Sequence, residues 1–221
     1  MSGPFYVYAI LERAPRGVRL RGLAREPVRF VKCGRLVVAV GRMESPPAAE
    51  VRNLERHDRV VRRLAAAARA ALPARFGSVA STRDALDDAL RPRARGLARA
   101  LARVRDREQM TLRFDGVSAA DAGGARDAGP GTRHLRRRAG TDPRTQPAVR
   151  ALLARLAPFV AAESVDRAHE TGIARVHHLI ARGEAGRYRR AVARARATDP
   201  TLRVGCTGPW VPYGFAAEAE R

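Results

Sequence analysis

Apolar residues crowd the start of the chain as Phe5–Leu11, FYVYAIL, a run rich in aromatic and β-branched types that predicts a strand. Residues 13–26 are broken by Pro15, Gly17 and Gly22 and read as a connecting loop with room for a short helical turn. Two further apolar runs, Val28–Cys33 and Leu36–Gly41, are separated by Gly34-Arg35. A two-residue link led by glycine suits a tight hairpin, so the second and third strands are expected to pair antiparallel. Ser45-Pro46-Pro47 then opens a helix, since proline costs nothing where the N–H has no intrahelical partner. The helix is expected from about Ala48 to Leu72. Val51, Leu54, Asp58, Val61, Leu64 and Ala68 recur along it at spacings of three and four; all but Asp58 are apolar and should line the buried face.

Pro73 ends that helix, and residues 73–80, PARFGSVA, are expected as a strand entered through proline. Ser81 or Thr82 is placed to cap the next helix, STRDALDDAL, with Asp84 in its first turn, and Pro92 separates it from a second short helix at Ala94–Val104. Glu108–Asp115 alternates Met110, Leu112 and Phe114 on one side, the pattern of a half-buried strand. Residues 116–147 are rich in Gly, Asp, Ala and Pro and poor in apolar types, and are expected to be flexible and disordered in part. Ala148–Val165 reads as a helix kinked or split at Pro158. Ile173–Ile180 reads as a strand with Ala174, Val176, His178 and Ile180 toward the core, Glu184–Ala197 as a helix, Thr201–Cys206 as a last strand and Thr207–Phe215 as a Pro/Gly-rich coil. The expected architecture is α+β: two small ferredoxin-like α/β sandwich domains with the C-terminal coil packing back. The N-terminal domain would be 1–80, a helical connector 81–107, the C-terminal domain 108–215 including the flexible segment, and a frayed tail 216–221.

Composition changes the picture in one respect, charge. The 221 residues are 45% hydrophobic and 29% charged, as expected of globular chains, yet the net charge is +21, and all but one (Lys32) of the 43 basic residues are arginine. A basic surface of this size could meet nucleic acid, anionic lipid or an acidic protein. The arginines are spread along nearly the whole chain rather than gathered in one patch, which favours a general arginine bias on solvated helix faces. No stretch reaches the roughly 18 apolar residues of a membrane span, and the opening run lacks the flanks of a signal segment, so a soluble, cytoplasmic protein is expected. Cys33 and Cys206 form no CxxC and read as two isolated small hydrophobes.

The search for chemistry is mostly negative. There is no phosphate loop and no GxSxG elbow, and Gly129–Gly131 has neither the lysine nor the preceding strand a phosphate loop needs. His169-Glu170 lacks the second histidine of a zinc-protease helix. His177-His178 lie on opposite faces of a strand and form no chelate; one partly buried and one exposed histidine is the expectation. Asp84, Asp87 and Asp88 suit a capped, salt-bridged helix better than an acid–base pair, and His57-Asp58 do not face each other on a helix. The aromatics fall in expected strands rather than on exposed faces, which disfavours a nucleic-acid stacking platform. No catalytic, cofactor or metal site is expected, and the chain is not read as an enzyme.

Three segments taken together carry a resemblance: the opening Phe5-Tyr6-Val7-Tyr8-Ala9-Ile10; the helix with His57 that leads into Leu72-Pro73-Ala74-Arg75-Phe76-Gly77; and the closing Thr207-Gly208-Pro209-Trp210-Val211-Pro212-Tyr213-Gly214-Phe215. In this order they resemble the gas-vesicle GvpL/GvpF family, over residues 5–215. His134-Leu135 with Arg137-Arg138 also resembles a family segment. The chain departs from the family at Val211, where a second proline is common, and at Gly214, where a small polar residue is usual. Residues 117–132 look like a lineage insertion.

The resemblance implies a two-domain accessory protein, associated with gas vesicles, that binds the small hydrophobic major shell protein and other gas-vesicle accessory proteins. The residues it singles out are Tyr6, Tyr8, His57, Pro73, Arg75, Phe76, Gly77, Gly208, Pro209, Trp210, Pro212, Tyr213 and Phe215. Physically these are packing residues first: Trp210, Tyr213 and Phe215 bring large apolar area on a path fixed by glycine and proline, as a lid or as a partner-facing patch. Arg75, flanked by apolar positions, is expected in a buried ion pair or as a fixed cation. The rival reading, motivated by the charge alone, is a basic nucleic-acid-binding protein.

Overall fold

The computed structural model describes residues 4–45, 47–115, 142–167 and 173–216. They fall into two compact units, one drawn from Met1–Arg107 and Trp210–Arg221, the other from Glu108–Pro209. The flexible segment, His134–Arg138, His169-Glu170 and the frayed tail lie largely or wholly outside the described residues.

The first unit is built on strand β1 (Phe5–Leu11). The hairpin β2 (Arg29–Cys33) and β3 (Leu36–Arg42) pairs antiparallel as its sequence predicts, with Cys33 opposite Leu36 and Gly34 at φ +58 in the link. The sheet order is β2-β3-β1-β4, with β4 (Ala71–Pro73) and β5 (Val79–Ala80) both paired to β1. The expected strand at 73–80 is therefore two short strands along the same side of β1, interrupted at Ala74–Ser78. The reason is hydrogen bonding: the Ala74 N–H reaches the Tyr8 carbonyl at 2.9 Å and the Val7 N–H the Ser78 carbonyl at 2.8 Å, so the chain between must arch outward. Opposite it, the β1–β3 register shifts between Val7 and Ala9, leaving Tyr8 as a bulge residue.

Helix α1 (Val51–Ala67) starts after Glu50, later than the proline signal predicts, and ends before the chain turns into β4. Its buried residues are His57, Val60, Val61 and Leu64. Val51 and Leu54 stand in solvent, so the expected face is turned: histidine, counted as polar in the sequence pattern, is the core residue, and Asp58 beside it is not. These side chains pack with Tyr6, Tyr8, Ala9, Ala39 and Ala71. Helix α2 (Arg83–Leu90) is capped by Thr82, whose hydroxyl accepts from the Ala85 N–H at 3.1 Å, as its sequence predicts. A 3-10 turn at Arg91–Arg93 carries Pro92, and α3 (Ala94–Val104) follows. α2 packs on β2 and β5, and α3 on β4.

In the second unit the order is β6 (Arg107–Phe114), α4 (Pro147–Leu156), β7 (Val160–Asp166), β8 (Ala174–Ala181), α5 (Ala185–Thr198) and β9 (Val204–Trp210), with sheet order β7-β8-β6-β9. Met110, Leu112, Phe114, Ala174, Val176 and Ile180 meet Val149, Leu152, Leu156, Tyr188 and Val192 of the two helices in one core. Three expectations are corrected here. The helix expected to Val165 stops at Leu156, and a 3-10 turn holding Pro158 delivers the chain into β7. The last strand begins at Val204 and continues to Trp210, beyond the coil boundary expected at Thr207. Gln109, Thr111, His177 and Leu179 are also buried, so β6 and β8 are covered on both faces rather than half-buried. A short helix α6 (Tyr213–Ala216) closes the described chain, within the first unit.

Candidate functional site

In the first unit Tyr6, Tyr8, His57, Phe76 and Gly77 form one cluster. β1 projects Tyr6 and Tyr8 toward α1, ring centroids 5.0 Å apart. His57 packs edge-on to Tyr6 at 5.6 Å and stacks on Tyr8 at 5.6 Å. Its two nitrogens are fixed by unlike partners. The Ala74 carbonyl can only accept, so Nε2–H donates to it at 3.2 Å; Nδ1 is then the acceptor for the Tyr6 hydroxyl at 2.9 Å. The Tyr6 oxygen in turn accepts the Gly77 N–H at 3.2 Å. One tyrosine and one histidine thereby hold both ends of the Ala74–Ser78 arch. Phe76 closes the cluster edge-on, 6.2 Å from Tyr6 and 5.7 Å from His57. Burial pushes the His57 pKa down from its ordinary value and the Tyr6 hydroxyl up.

Sequence reasoning missed the next member, Glu26. It is buried; its Oε1 takes a short hydrogen bond from the Tyr8 hydroxyl, and Oε2 accepts the Ala24 N–H at 3.0 Å. The Tyr8 oxygen accepts the Leu23 N–H at 2.8 Å, and burial, then Glu26, push its pKa far up. The carboxylate lies in a slot that only glycines leave open: a Cβ on Gly22 would stand 1.7 Å, and one on Gly41 2.3 Å, from Glu26 Oε1. Gly22 was the available signal, since it sits four residues before an acidic residue in a loop that folds on itself through the Gly22 N–H to Glu26 carbonyl bond at 2.7 Å.

Pro73 is buried in β4 opposite Ala9. Gly77 needs its left-handed φ of +84 to turn the arch back into β5. Arg75 is exposed, so of the two expectations for it the buried ion pair does not hold.

The closing segment divides. Gly208 and Pro209, joined by a cis peptide, belong to the second unit, where a Cβ on Gly208 would meet the Gln109 carbonyl at 2.7 Å and Met110 Sδ at 2.9 Å. From Trp210 the residues belong to the first unit. Val211 joins the Tyr6–Tyr8 core, Pro212 and Phe215 are buried, and α6 packs against β4 and α3. Trp210 and Tyr213 remain 37% and 39% exposed. Both sit beside α1: the Arg62 guanidinium lies 5.0 Å over the Trp210 ring and pairs with Asp58 at 2.6 Å. Burial first, then the Asp58 carboxylate, push the Tyr213 pKa up, with Arg62 opposing. Val51, Leu54, Asp58 and Arg62 succeed one another at three and four residues, so the two exposed aliphatics and the two exposed aromatics flank one stripe of α1.

The second unit holds a parallel arrangement. His178 Nε2–H donates to Glu163 at 3.0 Å, Nδ1 accepts from the Tyr188 hydroxyl at 2.8 Å, and Arg144 pairs with Glu163 at 3.1 Å. Burial lowers the His178 pKa against the pull of Glu163. On the opposite face His177 binds Thr111 at 3.0 Å, Gln109 at 3.1 Å and Asp166 at 3.0 Å. Both histidines are buried, which corrects the exposed one expected, and neither faces the other's partners. Among the described residues no group of three or more His, Cys, Asp or Glu could hold a metal, and no helix is long and apolar enough to cross a membrane. Cys33 and Cys206 are free thiols; burial, then Asp87, raises Cys33 to about 11.

The profile of the family described as gas vesicle synthesis protein GvpL/GvpF matches residues 4–217. The chain belongs to the GvpL/GvpF family. Solved structures agree on the fold. The gas vesicle protein GvpF from Anabaena sp. PCC7120 superposes with a TM-score of 0.71 at 18% identity, over 97% of this chain and 98% of that one. GvpF from Microcystis aeruginosa gives 0.73 at 17% identity, over 96% and 98%. No curated protein sequence matches. Of the residues singled out in the sequence, most hold the arch and the core, while Trp210 and Tyr213 stay partly open.

Proposed function

We propose that the chain is a non-enzymatic gas-vesicle assembly factor. It works in the cytoplasm, binds the major hydrophobic shell protein and other accessory proteins, and keeps apolar shell surface covered until a subunit is added. Family membership supports the gas-vesicle role. The observation that supports the binding role is the set of exposed apolar side chains along α1: Val51 and Leu54 at its start, and Trp210 and Tyr213 beside Asp58 and Arg62. Large apolar side chains grouped on a surface cost solvation free energy unless a partner covers them, and aromatic anchors beside an arginine are the composition that interface centres favour. Shell subunits that would otherwise aggregate give such a patch a purpose.

The test is co-purification of tagged full-length chain with the major shell protein at low and at moderately high salt, with nuclease present. The shell protein should be retained at both salts, and Leu54→Glu with Trp210→Ala should cut retention at least tenfold while leaving the circular dichroism spectrum unchanged. Loss of the shell protein at both salts, with nucleic acid recovered once nuclease is left out, would favour the basic-surface reading that the +21 charge motivates.

A further inference from the structure

A second surface of the first unit lies apart from the α1 stripe. Ala39 of β3 packs toward α1, so Leu36, three positions away on a strand whose side chains alternate, faces the other side of the sheet. There the hairpin link and the α2–α3 segment enclose an open groove of about 680 Å³, within the range of ligand-sized clefts. Its hairpin wall is Cys33, Gly34, Arg35 and Leu36. Its helical wall, drawn from α2, the 3-10 turn and α3, carries two rows of side chains, one charged and one apolar. One is Arg83, Asp87, Arg91 and Arg95; the other is Leu90, Ala94 and Ala98. The second row is apolar and, past Leu90, made of alanine, so another backbone could come close. The first row carries an excess of positive charge.

Asp87 already neutralises Arg83 at 2.8 Å, and Arg91 leans outward to Asp88 at 3.1 Å. Arg35 and Arg95, one on each wall and both exposed, meet no carboxylate among the described residues. An open groove with an apolar floor and guanidinium groups on both banks suits a helix with an apolar stripe flanked by carboxylates. We propose that this groove docks an acidic amphipathic helix of a partner protein. The helix would lie along the Leu90–Ala94–Ala98 row, its carboxylates reaching Arg35 on one side and Arg95 on the other. The inference is independent of the shell-binding surface on α1.

Three fluorescein-labelled eighteen-residue peptides test it against the full chain by fluorescence anisotropy. One has leucine at helical spacing and glutamate elsewhere; the second replaces glutamate by lysine; the third keeps the glutamates and replaces leucine by serine. The first should bind saturably, one per chain, at least tenfold tighter than either control. Arg35→Glu with Arg95→Glu should weaken it at least tenfold, as should filling the floor with Ala98→Trp. Arg16→Glu with Arg19→Glu, the same charge change on exposed residues away from the groove, should change binding less than twofold. Absence of binding, equal binding of the serine peptide (charge attraction alone), or equal weakening by the Arg16/Arg19 pair would each overturn the proposal.

Discussion

His57 holds one tautomer because its neighbours leave no alternative: a carbonyl beside Nε2 demands a donor, and the tyrosine hydroxyl beside Nδ1 must then give its proton. Replacing it by leucine keeps the apolar contacts but strands the Ala74 carbonyl and the Tyr6 proton. Each buried orphan costs about 1–3 kcal/mol, so His57→Leu should lower unfolding free energy by about 2–6 kcal/mol in chemical denaturation. The same burial gives a pH signature. In the unfolded chain a histidine takes up its proton near pH 6.5, whereas His57 and His178 resist protonation in the native state until lower pH. Between those values the unfolded chain binds more protons, so stability is full above about pH 6.5 and falls as pH drops through that window. The denaturation midpoint should therefore decrease from pH 7.5 to pH 5.5, and His57→Gln with His178→Gln should flatten that slope whatever it does to stability at pH 7.5. An unchanged slope would contradict the assigned protonation states.

At the level of elements, glycines separate backbone strain from collision. A Cβ on Gly77 has open space around it, so Gly77→Ala should cost only the left-handed backbone penalty, about 1–2 kcal/mol. Gly208→Ala adds collision with the Gln109 backbone and Met110 to a φ of +121, and should cost clearly more than Gly77→Ala in the same denaturation assay. Turn and cap chemistry of this kind was the most legible part of the sequence: Gly34, Thr82 and Pro92 each mark a boundary where the chain has one. What could not be read was decided by distant partners. β7 is VAAESVD, with little apolar alternation; it is a strand because β8 pairs along its length, and no local pattern announces that. Periodicity counts residue type and so turns α1 the wrong way, while His57 is apolar enough for a core only when Tyr6 and Ala74 satisfy both nitrogens. β9 runs on to Trp210, through Pro209, which a local reading of proline ends too early. The site shows the same division. The aromatic, proline and glycine positions could be recognised as a set, but Glu26 could not, because its slot exists only where Gly22 and Gly41 meet.

Across the whole molecule, the arginine excess sets a different kind of dependence. Arg62, Arg83, Arg105, Arg144 and Arg187 have carboxylate partners, yet 43 basic against 22 acidic residues leaves many charges that can only repel. Exposed ion pairs are worth about 0–1 kcal/mol each and weaken with salt, whereas repulsion summed over +21 charges is spread over the whole surface. Shortening the Debye length from about 14 Å at 50 mM to under 6 Å at 300 mM salt screens the long-range repulsion more than the contacts at hydrogen-bond distance. Stability should thus rise as sodium chloride is taken from 50 to 300 mM, seen as an upward shift of the thermal midpoint at pH 7.5. A falling midpoint would mean that the ion pairs outweigh the repulsion. The comparison also bears on binding. A partner held by the apolar α1 stripe should survive that salt step, and one held by the arginine groove should weaken across it. Salt alone then separates the two surfaces before any residue is changed.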